Sequence, residues 1–271
     1  MTRAYLAKQI ALQSTSPADY ANEFLFNALN IGEAMLISGA EVSRVEDSVR
    51  RICTAYGAER VDVFTITSAI VVTAYSPMFG TVTQTRRITA TRYDLLKLSR
   101  LNGLSRRICE ELPLFADVER ELNEIRAIPP QYGFSFLLFC YALISSSFTL
   151  FFGGSWQDAL VSAGIGLFLK CMEQVSRLLQ LPATVAAVLW SFAGGCLALF
   201  LVSNGFGDSA EKISIGNIML LIPGMQLTNS IRDIFNGDTL SALLGVCNAF
   251  VLAGLIAFGF ALPLLMWPGG I

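Results

Sequence analysis

Apolar residues recur along the first half of the chain at the periods of secondary structure, and along the second half in long uncharged runs. Residues 22–39 place Phe24, Leu25, Ala28, Leu29, Met35 and Leu36 at helical spacing, and Gly39 closes that helix. Ser43 followed by Glu46 reads as an S-x-x-E capping box, whose two side chains satisfy orphan N–H groups at a helix start. The stripe Val45, Val49, Ile52 and Tyr56 continues that second helix to Gly57. Val61, Val63, Thr65 and Thr67 alternate with Asp62, Phe64, Ile66 and Ser68, and 69–75 is rich in β-branched residues. After the turn signal at 76–80, residues 81–88 read as a third strand. Asp94 caps a helix carrying Leu95, Leu98, Leu101 and Ile108, and a charged helix runs from about Leu114 to Arg126. The order α-α-β-β-β-α-α predicts a mixed α/β domain over 22–128, after a tail at 1–21.

Pro129-Pro130 opens a linker, 129–133, and the remainder, 134–271, reads as membrane-spanning. Five spans are expected: 134–152, a segment from Asp158 into Lys170–Glu173, 183–202, 213–231 and 239–266. The fourth is interrupted by Pro223-Gly224. The fold class is therefore an α-helical polytopic membrane protein, with five transmembrane helices, one broken at Pro223-Gly224, and an N-terminal cytoplasmic mixed α/β domain.

Composition agrees with that division. The 271 residues are 54% hydrophobic and 15% charged, with a mean hydropathy of +0.56. Residues 1–126 hold 15 of the 19 Lys/Arg and 15 of the 21 Asp/Glu. This balanced front half lacks the basic stripe a nucleic acid would need. There is no histidine, which excludes an imidazole-based triad or zinc site, and the six cysteines form no CxxC pair. No cofactor and no metal is expected. The first residues lack the apolar core of a signal peptide, which places the front half in the cytoplasm. Lys170, Arg177 and Arg232 then fall on inner turns and only Lys212 on an outer one, giving an inside amino end and an outside carboxyl end in the inner (plasma) membrane.

The break in the fourth span is the strongest candidate site. Pro223 removes a helix hydrogen bond, and freed backbone in lipid must find protein, water or ligand. Beyond it Gln226, Asn229, Ser230 and Asp233 share one face, and the half-helix starting near Gly224 presents an electropositive end of the kind that holds carboxylates. Two readings fit: a proline kink with a polar helix end, or a substrate site. The polar face beside the break favours the second. Asp158 is most simply a helix cap, with proton exchange by Asp158 or Asp233 as the other reading. Asn248 bonds a neighbouring helix or lines the path. The serines at 145–147 read as close helix packing. In the front half, Arg44, Glu46, Asp47, Arg86, Arg87 and Arg92 show no nucleophile–base pairing.

The ordered set GAEVSRVEDSVRRI, VDVFTITSAIVV, TRRITATRYDLLKLSRLNGLSRRI, FGGSWQD and LLIPGMQLTNSIRDIFNGD resembles the threonine/serine exporter family from about residue 22 to the fifth span. Ile66-Thr67-Ser68-Ala69 departs from the family's Thr-Pro-Thr-Gly-like turn. Single-chain members join a cytoplasmic domain to ten spans. A chain with five resembles the larger subunit of the split form, which includes bacterial succinate exporters.

The resemblance implies export of a small carboxylate-bearing metabolite, threonine/serine or a dicarboxylate, coupled to ions or protons. It also implies a small companion membrane subunit supplying the remaining spans, with a homo-oligomer as the other arrangement. It draws interest to Pro223, Gly224, Thr228, Asn229, Arg232, Asp233, Gly237 and Asp238. The expected roles are substrate contact by Gly224, Gln226, Thr228, Asn229, Arg232 and Asn248 and proton coupling by Asp233 or Asp158. Pro223, Ser43 and Glu46 are expected to act structurally. A membrane-anchored enzyme or a regulatory protein acting through 22–126 is the alternative.

Overall fold

Ser16 opens the first helix of the computed structural model, which describes residues 16–89 and 92–266; most of the tail expected at 1–21 lies outside them. The Ser16 hydroxyl accepts the Asp19 N–H, and Pro17, at the first helical position, already has the helical φ. This helix, α1 (Pro17–Ile37), is buried along most of its length. Gly39, at φ +90°, supplies the left-handed turn into α2 (Val42–Ala55). Strands β1 (Arg60–Ile66), β2 (Ala69–Ser76) and β3 (Gly80–Arg87) form one antiparallel sheet in the order β1-β2-β3. Central Val72 lies opposite Val63 on one side and Gln84 on the other. Ile70, Val72 and Ala74, two residues apart on β2, are buried in a core shared with α1, α2 and α3 (Leu95–Glu111). Helix α4 (Phe115–Ala127) adds Val118, Leu122 and Ile125. Tyr20, Phe24, Tyr56 and Phe115 cluster at one end of that core, where the Tyr20 hydroxyl donates to the Tyr56 carbonyl at 3.1 Å.

The apolar half forms α5 (Phe134–Phe151), α6 (Trp156–Leu178), α7 (Ala183–Ser203), α8 (Ala210–Leu221), α9 (Gly224–Phe235) and α10 (Thr239–Met266). Among the described residues four helices, α5, α6, α7 and α10, are long and apolar enough to cross a bilayer. The expected fourth span is broken at Pro223-Gly224, as expected, into two helices of 12 residues, each about 18 Å long against a hydrocarbon core of about 30 Å. The cause is local. Ile222 stands before Pro223, whose ring disfavours the α region for its predecessor, and Ile222 takes ψ 133°.

The chain divides into two compact units, one of residues up to Pro129 with Met225–Val246, the other of Pro130–Gly224 with Cys247 onward. In the second unit small residues let helices approach: a Cβ on Gly166 would lie 2.8 Å from the Tyr141 carbonyl oxygen, and one on Gly195 2.9 Å from that of Phe260. Phe139, Phe151, Leu160, Phe250 and Val251 are exposed, the apolar outer surface that lipid covers.

The expected capping box at Ser43 and Glu46 does not form. The helix starts two residues earlier, with Glu41 as its N-cap and no side-chain cap bond. Both side chains have other partners: the Ser43 hydroxyl accepts from Asn236 at 2.8 Å, and Glu46 accepts the Thr65 N–H at 2.8 Å. An S-x-x-E pattern fixes spacing only; competing donors decided where those oxygens went. Asp94 does cap α3, accepting the Lys97 N–H at 3.0 Å.

Candidate functional site

Two polar centres stand out, one in each unit. The first is built on α9. Its polar face, legible as steps of three and four residues, packs on the loop between α1 and α2. The Asn229 amide donates to the Gly39 carbonyl at 3.0 Å, and the Asp233 carboxylate accepts the Val42 N–H at 3.3 Å. Arg232 pairs with Glu41. Just beyond, the Ser241 hydroxyl donates to the Thr65 carbonyl at 3.2 Å. Gln226 donates to the Gly245 carbonyl at 3.1 Å, tying α9 to the first turns of α10.

Asp233 is 4% exposed. Burial raises its carboxyl to about 6; Asp238 and Glu41 push the same way, against the Val42 N–H and Arg232. Glu46 and Asp238 are also raised, each chiefly by burial. This centre is rich in carboxylates that carry their charge at a cost, and it leaves Asp233 able to titrate near neutral pH.

Of the expected contact residues, then, Gln226 and Asn229 are engaged with backbone and Arg232 with Glu41, while Asp233, expected to couple protons, holds the Val42 N–H. Thr228 and Asn248 are exposed, as is Gly224 at the first position of α9, with open space around it. Pro223 stands in the break itself, just ahead of α9.

The second centre lies among α5, α6 and α8. Tyr141, Ser145 and Thr149 repeat every four residues on α5; Asp158, Ser162, Gly166 and Lys170 do so on α6. The Ser145 and Ser162 hydroxyls lie 2.7 Å apart, Thr149 donates to Ser162 at 2.7 Å, and Asn217 of α8 donates to Ser162 at 2.9 Å. All four side chains are fully buried. At one end Asp158, 1% exposed, accepts the N–H groups of Ser155 at 3.0 Å, Asp208 at 2.7 Å and Ser209 at 3.0 Å, joining the start of α6 to the start of α8. With Ser155 it forms a true capping box. At the other end Lys170 donates to Glu173 at 2.7 Å, and the Tyr141 hydroxyl donates to the same oxygen at 2.9 Å.

Sequence reasoning had Asp158 as a cap and Ser145 as packing, but missed Thr149, Ser162 and Asn217. The four-residue steps on α5 and α6 were the available signal. Among the described residues no three Cys, Asp or Glu side chains converge in a metal-binding group.

The ThrE family, described as "Putative threonine/serine exporter", matches residues 27–267. The chain belongs to the threonine/serine exporter family. It is a multi-pass membrane protein of that transporter family. A relative from Klebsiella aerogenes, named "Probable succinate transporter subunit YjjP", is 22% identical over 234 residues, covering 86% of this chain and 90% of that protein. The "Threonine/serine exporter" of Corynebacterium glutamicum is 23% identical over 247 residues, 87% of this chain but 49% of its own length. "Pheromone-regulated membrane protein 10" of Kluyveromyces lactis is 22% identical over 242 residues, 25% of its length. The exporter-family chain thus spans about half or less of the last two and most of the first. No solved structure matches it.

Proposed function

We propose that this family member is the larger subunit of a split secondary transporter exporting a small carboxylate-bearing metabolite, threonine, serine or a dicarboxylate such as succinate. The observation that carries the reading is likeness along nearly the whole of a relative named as a transporter subunit. The chain covers 90% of a relative named as a transporter subunit and 49% of one named as an exporter in its own right. A small companion membrane subunit, or a second copy of the chain, forms the path with it. Transport paths form between two such halves.

In this reading the chain lies in the inner (plasma) membrane and crosses it five times, the fourth crossing broken at Pro223. The front domain is cytoplasmic, on the inner side that Lys170, Arg177 and Arg232 favour, and the carboxyl end is outside. Helix α9 recognises cargo. Thr228 and the N–H groups of the turn that Gly224 opens, beyond its own N–H, which donates to the Ile222 carbonyl, meet a carboxylate, and Asn229, Gln226 and Arg232 exchange their present partners for it as α9 leaves the 39–42 loop. Asp233 exchanges the driving proton, since burial raises its carboxyl to about 6; Asp158 is the second candidate.

Counterflow of labelled threonine, serine and succinate into proteoliposomes tests this, with the chain alone and with the small membrane protein encoded beside it. Uptake only with both establishes the split exporter and its cargo. Uptake by the chain alone gives the homo-oligomer. No uptake of any of the three by folded, correctly oriented protein overturns the reading.

A further inference from the structure

Helices α2 and α3 meet through apolar faces, Val45, Val49 and Ile52 against the core that holds Leu101, Leu104 and Ile108. Beside that seam both helices turn polar, and a groove of about 380 Å³ opens between them. Arg44, Ser48 and Arg51 line it from α2 at helical spacing; Ser105 and Arg106 line it from α3. It belongs to neither polar centre described above.

Two features distinguish the groove from a solvated helix face. Its inner wall carries Ser48 and Ser105, 9% and 6% exposed, whose hydroxyls have no hydrogen-bond partner among the described residues. Hydroxyls that make no bond within the protein remain available as donors to whatever enters the groove. Both serines line the groove, and their hydroxyl oxygens open onto it. The second feature is charge. Of the three lining arginines Arg51 is paired, with Asp47 at 3.0 Å. Arg44 and Arg106, on opposite walls, have no carboxylate partner among the described residues. Glu110 is the other lining acid, which leaves the groove net positive.

We infer that this groove binds a small oxyanion metabolite, a carboxylate or a phosphate, whose oxygens accept from Arg44, Arg106, Ser48 and Ser105. Guanidinium forks and hydroxyls are donors suited to planar carboxylate or phosphate oxygens. The volume falls within the range of small-molecule sites. Cys109, also lining the groove, is kept a neutral thiol, burial pushing its pKa up. The inference goes beyond transport, because the groove lies wholly within the charged front unit.

The test is isothermal titration calorimetry on the full chain in detergent at fixed ionic strength, with succinate, inorganic phosphate and threonine titrated separately. Arg44→Gln, Arg106→Gln and Ser105→Ala are compared with the parent. Both arginines are exposed, so the unliganded variants keep the parent's melting temperature. At least one of the three ligands binds the parent, and each arginine substitution weakens it roughly tenfold, the worth of one charged hydrogen bond. Tightest binding by succinate or threonine names a carboxylate; tightest binding by phosphate names a phosphate. Failure of all three to bind the parent overturns the inference, as does equal binding by parent and both arginine variants, which would place the anion elsewhere. Binding is read without transport, so this result and the counterflow result fail separately.

Discussion

The Asp233 carboxylate accepts the backbone N–H of Val42 at 3.3 Å across 191 positions of sequence, inside a site where it is 4% exposed. A carboxylate in that setting must give up water, and one N–H with a nearby arginine offsets only part of the loss. The neutral form is therefore favoured, which ties the packing of α9 to pH.

A folded-state pKa of about 6, above the ordinary 3.8, means that the packed form binds the proton more tightly than the unpacked one. The stabilisation is full below about pH 3.8 and is lost as pH rises through about 6. We expect a higher apparent melting temperature at pH 5 than at pH 7.5. Asp233→Asn keeps an acceptor oxygen and removes the charge, so it should stabilise at pH 7.5 by about 2 kcal/mol and shrink the pH difference. Glu46 and Asp238 leave a residual dependence. A variant with the full parental pH difference would mean that Asp233 is not the titrating group.

Asp158 and Asp233 should separate in transport. Asp158 accepts three backbone N–H groups and joins two helix starts. Asp158→Asn should therefore lower the melting temperature, by about 1–3 kcal/mol in stability, and leave the pH profile of counterflow in place. Asp233→Asn should flatten that profile. A flat profile in the Asp158 variant would exchange the two assignments.

Asn217 both donates to Ser162 at 2.9 Å and accepts from Ser145 at 2.7 Å. Asn217→Leu strands those hydroxyls, and we expect about 1–2 kcal/mol of lost stability. Thermal unfolding in detergent measures it. Ser147, exposed on α5 beside Ser145, supplies the control: Ser147→Ala should be neutral within error.

Gly216→Ala puts a methyl 2.9 Å from the Thr149 backbone nitrogen and 3.1 Å from the Ser145 carbonyl oxygen. Backbone cannot step aside as a side chain does, so helix separation and a clear fall in melting temperature are expected. Gly103→Ala, with nothing within 4 Å of the new methyl, should stabilise α3 by about 0.5–1 kcal/mol. Equal effects at the two sites would show that α5 and α8 do not pack closely.

Local chemistry in the sequence settled a good deal. The three strands, the Asp94 cap, the long apolar helices and the break before Pro223 each follow from alternation, capping chemistry, run length or the sterics of proline, which act over a few residues. The polar face of α9 was equally legible, because Gln226, Asn229 and Asp233 lie three, four and seven apart. What that face meets was not. Gly39 and Val42 lie 190 and 191 positions away from Asn229 and Asp233, and nothing in local periodicity names a partner at that distance. The same limit hid the second centre. Ser145, Ser162 and Asn217 each read as an unremarkable small or polar residue, and only the packing of three helices brings their hydrogen-bonding atoms within 3 Å. Ser43 and Glu46 mark the boundary between the two kinds of information: their spacing fits a cap, but the tertiary fold offered each a stronger competing partner, and the cap was not made.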